Sequence, residues 1–277
     1  MDRLGASDQN ETATAPAPVV SPLTFVAPTE FVELPSKGIG YAEGHPLNGK
    51  DVIEIKYMTA KEEDILTSVT LLKKGIAVDR FMQNIICDTN INIDELLIGD
   101  KNAILIAARA SGYGNEYETQ VACPNCSKKS EMCFDLSSPT ILESKYDDDL
   151  GITKTKNGTF LITMPFSKFT VEVRLLTGKD EKYISELNRN KKKGGLEETT
   201  MTDQYKRMIV SVENLTERTT INHYVDNMPL RDARHLRLAY RMVSPDIKIT
   251  HDFQCRSCGH EQELEVPFGA DFLWPDR

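Results

Sequence analysis

Tyr117-Glu118-Thr119-Gln120-Val121-Ala122-Cys123-Pro124-Asn125-Cys126 decides how this chain is read. The first six residues alternate with the period of a strand and run directly into two cysteines separated by two residues. The pattern returns near the other end, where Ile249 to Gln254 leads into Cys255-Arg256-Ser257-Cys258-Gly259. Strand-like segments, Lys129 to Phe134 and Glu261 to Val266, follow the two pairs. A two-residue gap lets both thiolates face one ion about 2.3 Å away, and a small residue after the second cysteine lets backbone amides turn toward sulfur. Two such knuckles make a tetrahedral set, so Cys123, Cys126, Cys255 and Cys258 are the candidate ligands of a structural zinc.

The two remaining cysteines and the nearby histidines fit less well. Cys133 lies in a strand-like segment, Cys87 reads as a core residue of a helix, and His251 and His260 read as surface side chains beside the second knuckle. A catalytic zinc needs an open position, which a full thiolate set does not leave, and a redox CxxC opens a helix rather than a hairpin. The residues from Ser127 to Gln254 lie between the two pairs, where about 15–20 residues are usual for such sites. The ribbon is therefore expected to be split, with a region inserted after the first knuckle.

Outward from the knuckles, the chain divides by its patterning. Residues 1–29 are rich in Ala, Thr, Pro and Ser without amphipathic period and read as a flexible arm. Residues 30–134 read as a helical unit with short strands and the first knuckle. Val52 to Tyr57 alternates, and Thr59 with Glu62 forms a capping box before Ile65, Leu66, Val69 and Leu72, with Gly75 as the stop. Further helices are expected from Val78 to Ile86 and from Asp100, as N-cap, to Gly112. Residues 135–245 read as an inserted α/β subdomain. It begins with an acidic Asp147-Asp148-Asp149 run and a hairpin turning at Asn157-Gly158, with a third strand from Phe169 to Leu175. Thr177 and Asp180 then cap a helix, Lys191 to Gly195 reads as a loop, and a helix is expected from Thr202 to about Val212. A last helix starts near Pro229 and stops at Pro245. Residues 246–277 hold the second knuckle and an aromatic tail. The fold class expected is α+β.

Composition narrows the function. The 33 basic and 42 acidic residues leave a net charge of −9 on 277 residues, which opposes general binding to nucleic acid or anionic lipid. A membrane span needs about 20 apolar residues in a row, and the best run, Ala103 to Ala108, is far shorter. The first residues lack a signal-peptide pattern, which places the thiols in a reducing cytoplasm. No Walker loop, GxGxxG, GxSxG or HExxH motif occurs, so no catalytic residue is assigned and no enzyme is expected. Arg231, Arg234, Arg237 and Arg241 share a helical face that suits an acidic partner or RNA backbone, or else ion pairs within the chain. The tail Pro267 to Pro275 holds the only tryptophan and either covers the core or anchors a partner.

Several stretches together resemble the T-even-type bacteriophage baseplate proteins, often called baseplate hub subunits. These are Leu34-Pro35-Ser36-Lys37-Gly38, Met58 to Leu66, Leu97-Ile98-Gly99-Asp100-Lys101-Asn102-Ala103-Ile104-Leu105, Gly112-Tyr113-Gly114 with Tyr117, the Cys-Pro-x-Cys knuckle and Phe272-Leu273-Trp274-Pro275. The likeness is densest from Leu34 to Phe134 and returns after about Leu230. It implies a structural component of a contractile phage tail baseplate, in its hub or central region, made in the host cytoplasm and carried in the virion. Its partners would be other baseplate and tail proteins, with no small-molecule substrate, membrane or nucleic acid, and the N-terminal arm and the Phe268 to Trp274 tail would be the assembly contacts. The alternatives are an assembly chaperone absent from the finished virion and a zinc-ribbon nucleic-acid-binding module. The latter would call for positive charge and more ribbon aromatics than Phe134 and Phe253.

Overall fold

The computed structural model describes residues 27–146, 150–197, 199–267 and 272–274. The arm through residue 26, the Asp147 to Asp149 run and Phe268 lie outside the described residues.

Helices and short antiparallel sheets alternate in an α+β arrangement. Strands β1 (Thr29–Glu33) and β2 (Val52–Lys56) pair with Val32 opposite Ile53. Helices α1 (Ala60–Thr67), α2 (Val69–Lys74) and α3 (Ala77–Ile85) follow, then a 3-10 turn at Ile93–Glu95 and α4 (Ile98–Tyr113). The capping box at Thr59 and Glu62 forms as expected. The single helix expected from there to Gly75 is instead broken at Ser68, where ψ is 108°. Thr67, Ser68, Val69 and Thr70 are all weak helix formers, and one turn of them is enough to interrupt the ladder. Gly75 ends α2 with φ +70°, a left-handed cap open to glycine.

Asp100 has a different role from the one its sequence position suggests. Helix α4 starts two residues earlier, with Leu97 as the cap, and Asp100 is fully buried in its first turn. Its carboxylate accepts hydrogen bonds from Ser36 N (3.0 Å), Ser36 Oγ (2.6 Å) and the Tyr41 hydroxyl (2.7 Å). Leu34 to Gly38 is thereby tied to α4. Gly38 has φ +71°, and a Cβ there would lie 2.4 Å from Lys50 N, so this turn requires glycine.

The next strands are β3 (Glu116–Ala122), β4 (Lys129–Asp135) and β5 (Thr140–Leu142). A sheet of order β6 (Ile152–Lys154), β7 (Phe160–Thr163), β8 (Thr170–Val173) and β9 (Ile209–Val212) is antiparallel throughout. Helices α5 (Gly178–Lys193) and α6 (Thr200–Met208) intervene before β9, and α7 (Arg218–Asp226) and α8 (Leu230–Val243) come after it. The helix expected to run to Val212 ends at Met208, because Ile209 to Val212 pair with β8, where branched side chains fit a pleated surface. Lys191, expected in a loop, closes α5 and bonds Asp203 at 2.6 Å. Helix α7 was not anticipated.

Strand β10 (Asp246–Lys248) pairs with β5, placing Ile247 opposite Ile141. The chain thus leaves and re-enters through a two-stranded neck. Helix α4 packs on this neck so closely that a Cβ at Gly99 would lie 2.1 Å from Pro245 O. Strands β11 (Thr250–Gln254) and β12 (Glu261–Glu265) complete the described elements. Buried side chains from all these regions, from Val32 through Phe160 and Leu236 to Leu273, form one continuous apolar cluster.

At the start of α5 the Thr177 and Asp180 box forms and serves a larger network. Asp180, 1% exposed, accepts from both Arg174 nitrogens (2.6 and 2.9 Å) and from Arg207 Nη2 (2.6 Å). Burial alone would raise its pKa, but the two guanidiniums and the Thr177 amide outweigh that and hold it down to about 2. A depressed carboxylate contributes stability above its unfolded pKa that is lost as pH falls through the folded value. The stability gap between wild type and Asp180→Asn is therefore expected to narrow by about 2 kcal/mol between pH 6 and pH 2. Urea midpoints across that range measure it, and a gap independent of pH would contradict it.

Candidate metal centre

Each knuckle is the turn of a tight hairpin. In the first, Ala122 faces Lys129 at the end of the β3–β4 ladder, Cys123 N donates to Lys128 O (2.9 Å), and Ser127 N returns to Cys123 O (2.8 Å). In the second, Gln254 faces Glu261, Cys255 N donates to His260 O (2.8 Å), and Gly259 N returns to Cys255 O (2.9 Å). The two turns repeat one another bond for bond. The residue after the second cysteine is left-handed in both, at Ser127 (φ +59°) and Gly259 (φ +70°).

The four sulfurs converge. Cys123 and Cys258 lie 3.7 Å apart, as do Cys126 and Cys255, and all four atoms fall within 4.8 Å of one another. A tetrahedron with zinc–sulfur arms of about 2.3 Å has edges near 3.8 Å, so the spacing fits such an ion, while a disulfide needs about 2.05 Å. The first cysteine of each pair is buried, Cys126 is half-buried and Cys258 is exposed. The Ser257 and Cys258 backbone amides point at the Cys255 sulfur and lower its pKa to about 6. The amide of Lys128 also favours the Cys126 thiolate, but burial and the three neighbouring sulfurs outweigh it and raise that thiol to about 11. Without a cation, like charges cannot all form in so small a space; a dication removes that conflict.

Two hairpins with no ladder between them hold this set, since β3–β4 and β11–β12 are separate sheets. Apolar contacts bring them together. Phe272 meets the Tyr117 ring edge-on at 5.1 Å, and His251 meets Phe134 at 6.1 Å. His251 thus packs on an aromatic ring away from the sulfurs, and His260 Nε2 lies 3.2 Å from Gln262 Oε1. Cys133 is exposed on β4, outside the cluster. Cys87 is half-buried just beyond α3 rather than a core residue of that helix. One contact had no sequence signal beyond its place inside a CxxC: Asn125 Nδ2 lies 3.7 Å from the Cys258 sulfur, so one knuckle reaches the other's ligand.

The tail finishes this corner. Phe272 and Leu273 are buried, and Trp274 Nε1 donates to Leu66 O at 2.8 Å, close to the break after α1. Phe272 and Leu273 thus cover the protein's own core, the first of the two roles the sequence offered for the tail.

A family model described as T4 bacteriophage base plate protein matches residues 29–273. The chain belongs to that family, and it is therefore a bacteriophage baseplate protein of the T4 type. The match takes in the middle of the chain, where the resemblance noted above was weaker. Neither the curated proteins nor the solved structures contain a match. The family is one of tail structure, and its members belong to the virion tail; among the described residues no helix is long and apolar enough to cross a membrane.

The paired left-handed positions make a direct test of the knuckle geometry. Gly259→Ala introduces no clash, since no atom lies within 4 Å of the new Cβ, so its expected cost is the backbone preference alone, about 1 kcal/mol. Ser127→Gly is expected to be neutral or stabilising. Chemical denaturation of the two variants, each with metal present, gives the comparison; equal losses at both positions would contradict it.

Proposed function

We propose that this chain is a hub-region building block of the tail baseplate, joined internally by a structural zinc on Cys123, Cys126, Cys255 and Cys258 and acting through contacts with other tail proteins rather than through catalysis. The observation that carries this reading is that one baseplate-family match spans both knuckles and everything between them. The sulfur spacing supports the metal, and four thiolates around one ion leave no position for substrate. The zinc then joins the unit from 30 to 134 to the segment from 246, and the region from 135 to 245 is carried between them. The protein is made in the host cytoplasm, stays in the finished tail, and adds the arm ahead of β1 as a contact with a neighbour.

In this role the ion is a fastener. It lets two hairpins without a shared ladder act as one rigid corner, and its binding free energy becomes folding free energy. The purified chain should hold one zinc by elemental analysis, and Cys123→Ser and Cys255→Ser should each lose it and melt at a lower temperature. Absence of metal, or unchanged melting, would remove the fastener. Mass spectrometry of purified particles tests the rest. The chain is expected there, whereas its presence in infected cells and absence from particles would favour the assembly chaperone.

A further inference from the structure

Among the described residues the arginine face of α8 has no ion-pair partner. Arg231, Arg234, Arg237 and Arg241 are all exposed, and among the described residues no carboxylate lies within 4 Å of any of their nitrogens. The chain pairs its guanidiniums elsewhere: Arg174 and Arg207 both close on Asp180. With 42 acidic residues available, four open arginines on one helix mark a local positive surface on a negative protein.

That surface borders a groove. Arg237, Arg241 and Lys248 all line a cleft of about 430 Å³ between α8, α6 and the β5–β10 neck. The lining is mostly apolar, with Leu142, Met201, Met208 and the rings of Tyr205 and Tyr240 beside the polar Gln204 and Ser244. Both tyrosine hydroxyls are already engaged. Tyr240 accepts from Leu176 N, and Tyr205 donates to Ala233 O, so the rings present carbon to the groove. Asp246, the acid in the lining, is held by Asn102 Nδ2 and Ile247 N. Beyond the groove the stripe continues along the same face to Arg234 and to Leu230, which is 80% exposed.

We propose that this groove is a docking site for an acidic segment of a neighbouring protein, one in which carboxylates flank apolar side chains. The guanidiniums would take the carboxylates in forked pairs, and the Met201 and tyrosine surface would take the apolar side chains. Charge complementarity selects the partner. A nucleic-acid strand would satisfy the arginines but leave the methionine and leucine floor uncovered, and it would meet the net charge of −9 on approach. The proposal deepens the baseplate reading by naming the chemistry of one neighbour.

The test uses the full-length, metal-loaded chain and fluorescence anisotropy with three labelled probes of equal net charge. These are a twelve-residue peptide alternating Glu with Leu, the same peptide with Ser in place of Leu, and a single-stranded RNA. The Glu–Leu peptide should bind best. Arg237→Glu and Arg241→Glu should each weaken it about tenfold or more, and Met201→Ser should weaken it without changing its salt dependence. Arg231→Glu makes the same charge change outside the groove lining and should have a smaller effect. Failure of the peptide to bind, equal losses with Arg231→Glu, tighter binding of the Ser peptide or RNA, or an Arg237-dependent dimer of this chain would each overturn the proposal. A separate arm keeps the two readings apart. Particles carrying Arg237→Glu should lack the protein although the variant keeps its zinc and melting temperature, whereas absence of the wild-type chain from particles would defeat the baseplate reading and leave the peptide result to decide the groove.

Discussion

Four cysteine sulfurs at the edge of the apolar core set the constraint around which this protein is arranged. They come from two hairpins whose backbones share no ladder, and every pair of them lies closer than charged thiolates tolerate in the absence of a cation. The hairpins supply matching turns, each with the first cysteine buried and the second toward solvent. Toward the other end of the hairpins, Phe134 of β4 meets His251 of β11, and Phe272 packs on Tyr117 of β3. Packing places the sulfurs, and the proposed ion would lock the placement.

The rest of the fold explains how segments so far apart in sequence reach one corner. The β5–β10 pair brings the returning chain back beside its point of departure, and Gly99 lets α4 lie against that neck. Asp100, one residue on, holds Ser36 and Tyr41, so the same turn of α4 gathers the N-terminal segment and the neck. Stretches that resemble the baseplate family thus prove to be joints: Leu34 to Gly38 is the turn bound by Asp100, and Phe272 to Trp274 packs against β3 and the end of α1.

Local signals were legible where a residue acts on its immediate neighbours. The capping boxes at Thr59 and Thr177, the Asn157-Gly158 turn, the stop at Pro245 and both cysteine knuckles depend on bonds that span only a few residues, and all were read from sequence. The errors share the opposite cause. Ile209 to Val212 continued a helical pattern and became a strand because β8 offered a partner. Asp100 looked like a cap because a carboxylate near a helix start normally serves its own backbone, and here it is taken by Ser36 and Tyr41. The lysines after Asn190 looked like a loop tip until Asp203 gave Lys191 a reason to stay helical.

The amino-acid order alone determined the two matched CxxC pairs, their wide separation along the chain and the acidic character that argues against a polyanion partner, because spacing and charge are properties of the chain itself. Tertiary structure alone decided that Phe272 and Leu273 close onto the core, that the histidines near the knuckle stay outside the sulfur cluster, and that Arg237 and Arg241 of α8 line a groove whose acid, Asp246, is engaged by Asn102 and Ile247. Those outcomes depend on which distant surfaces meet, and a side chain's neighbours across more than a hundred residues are set by packing rather than by sequence distance.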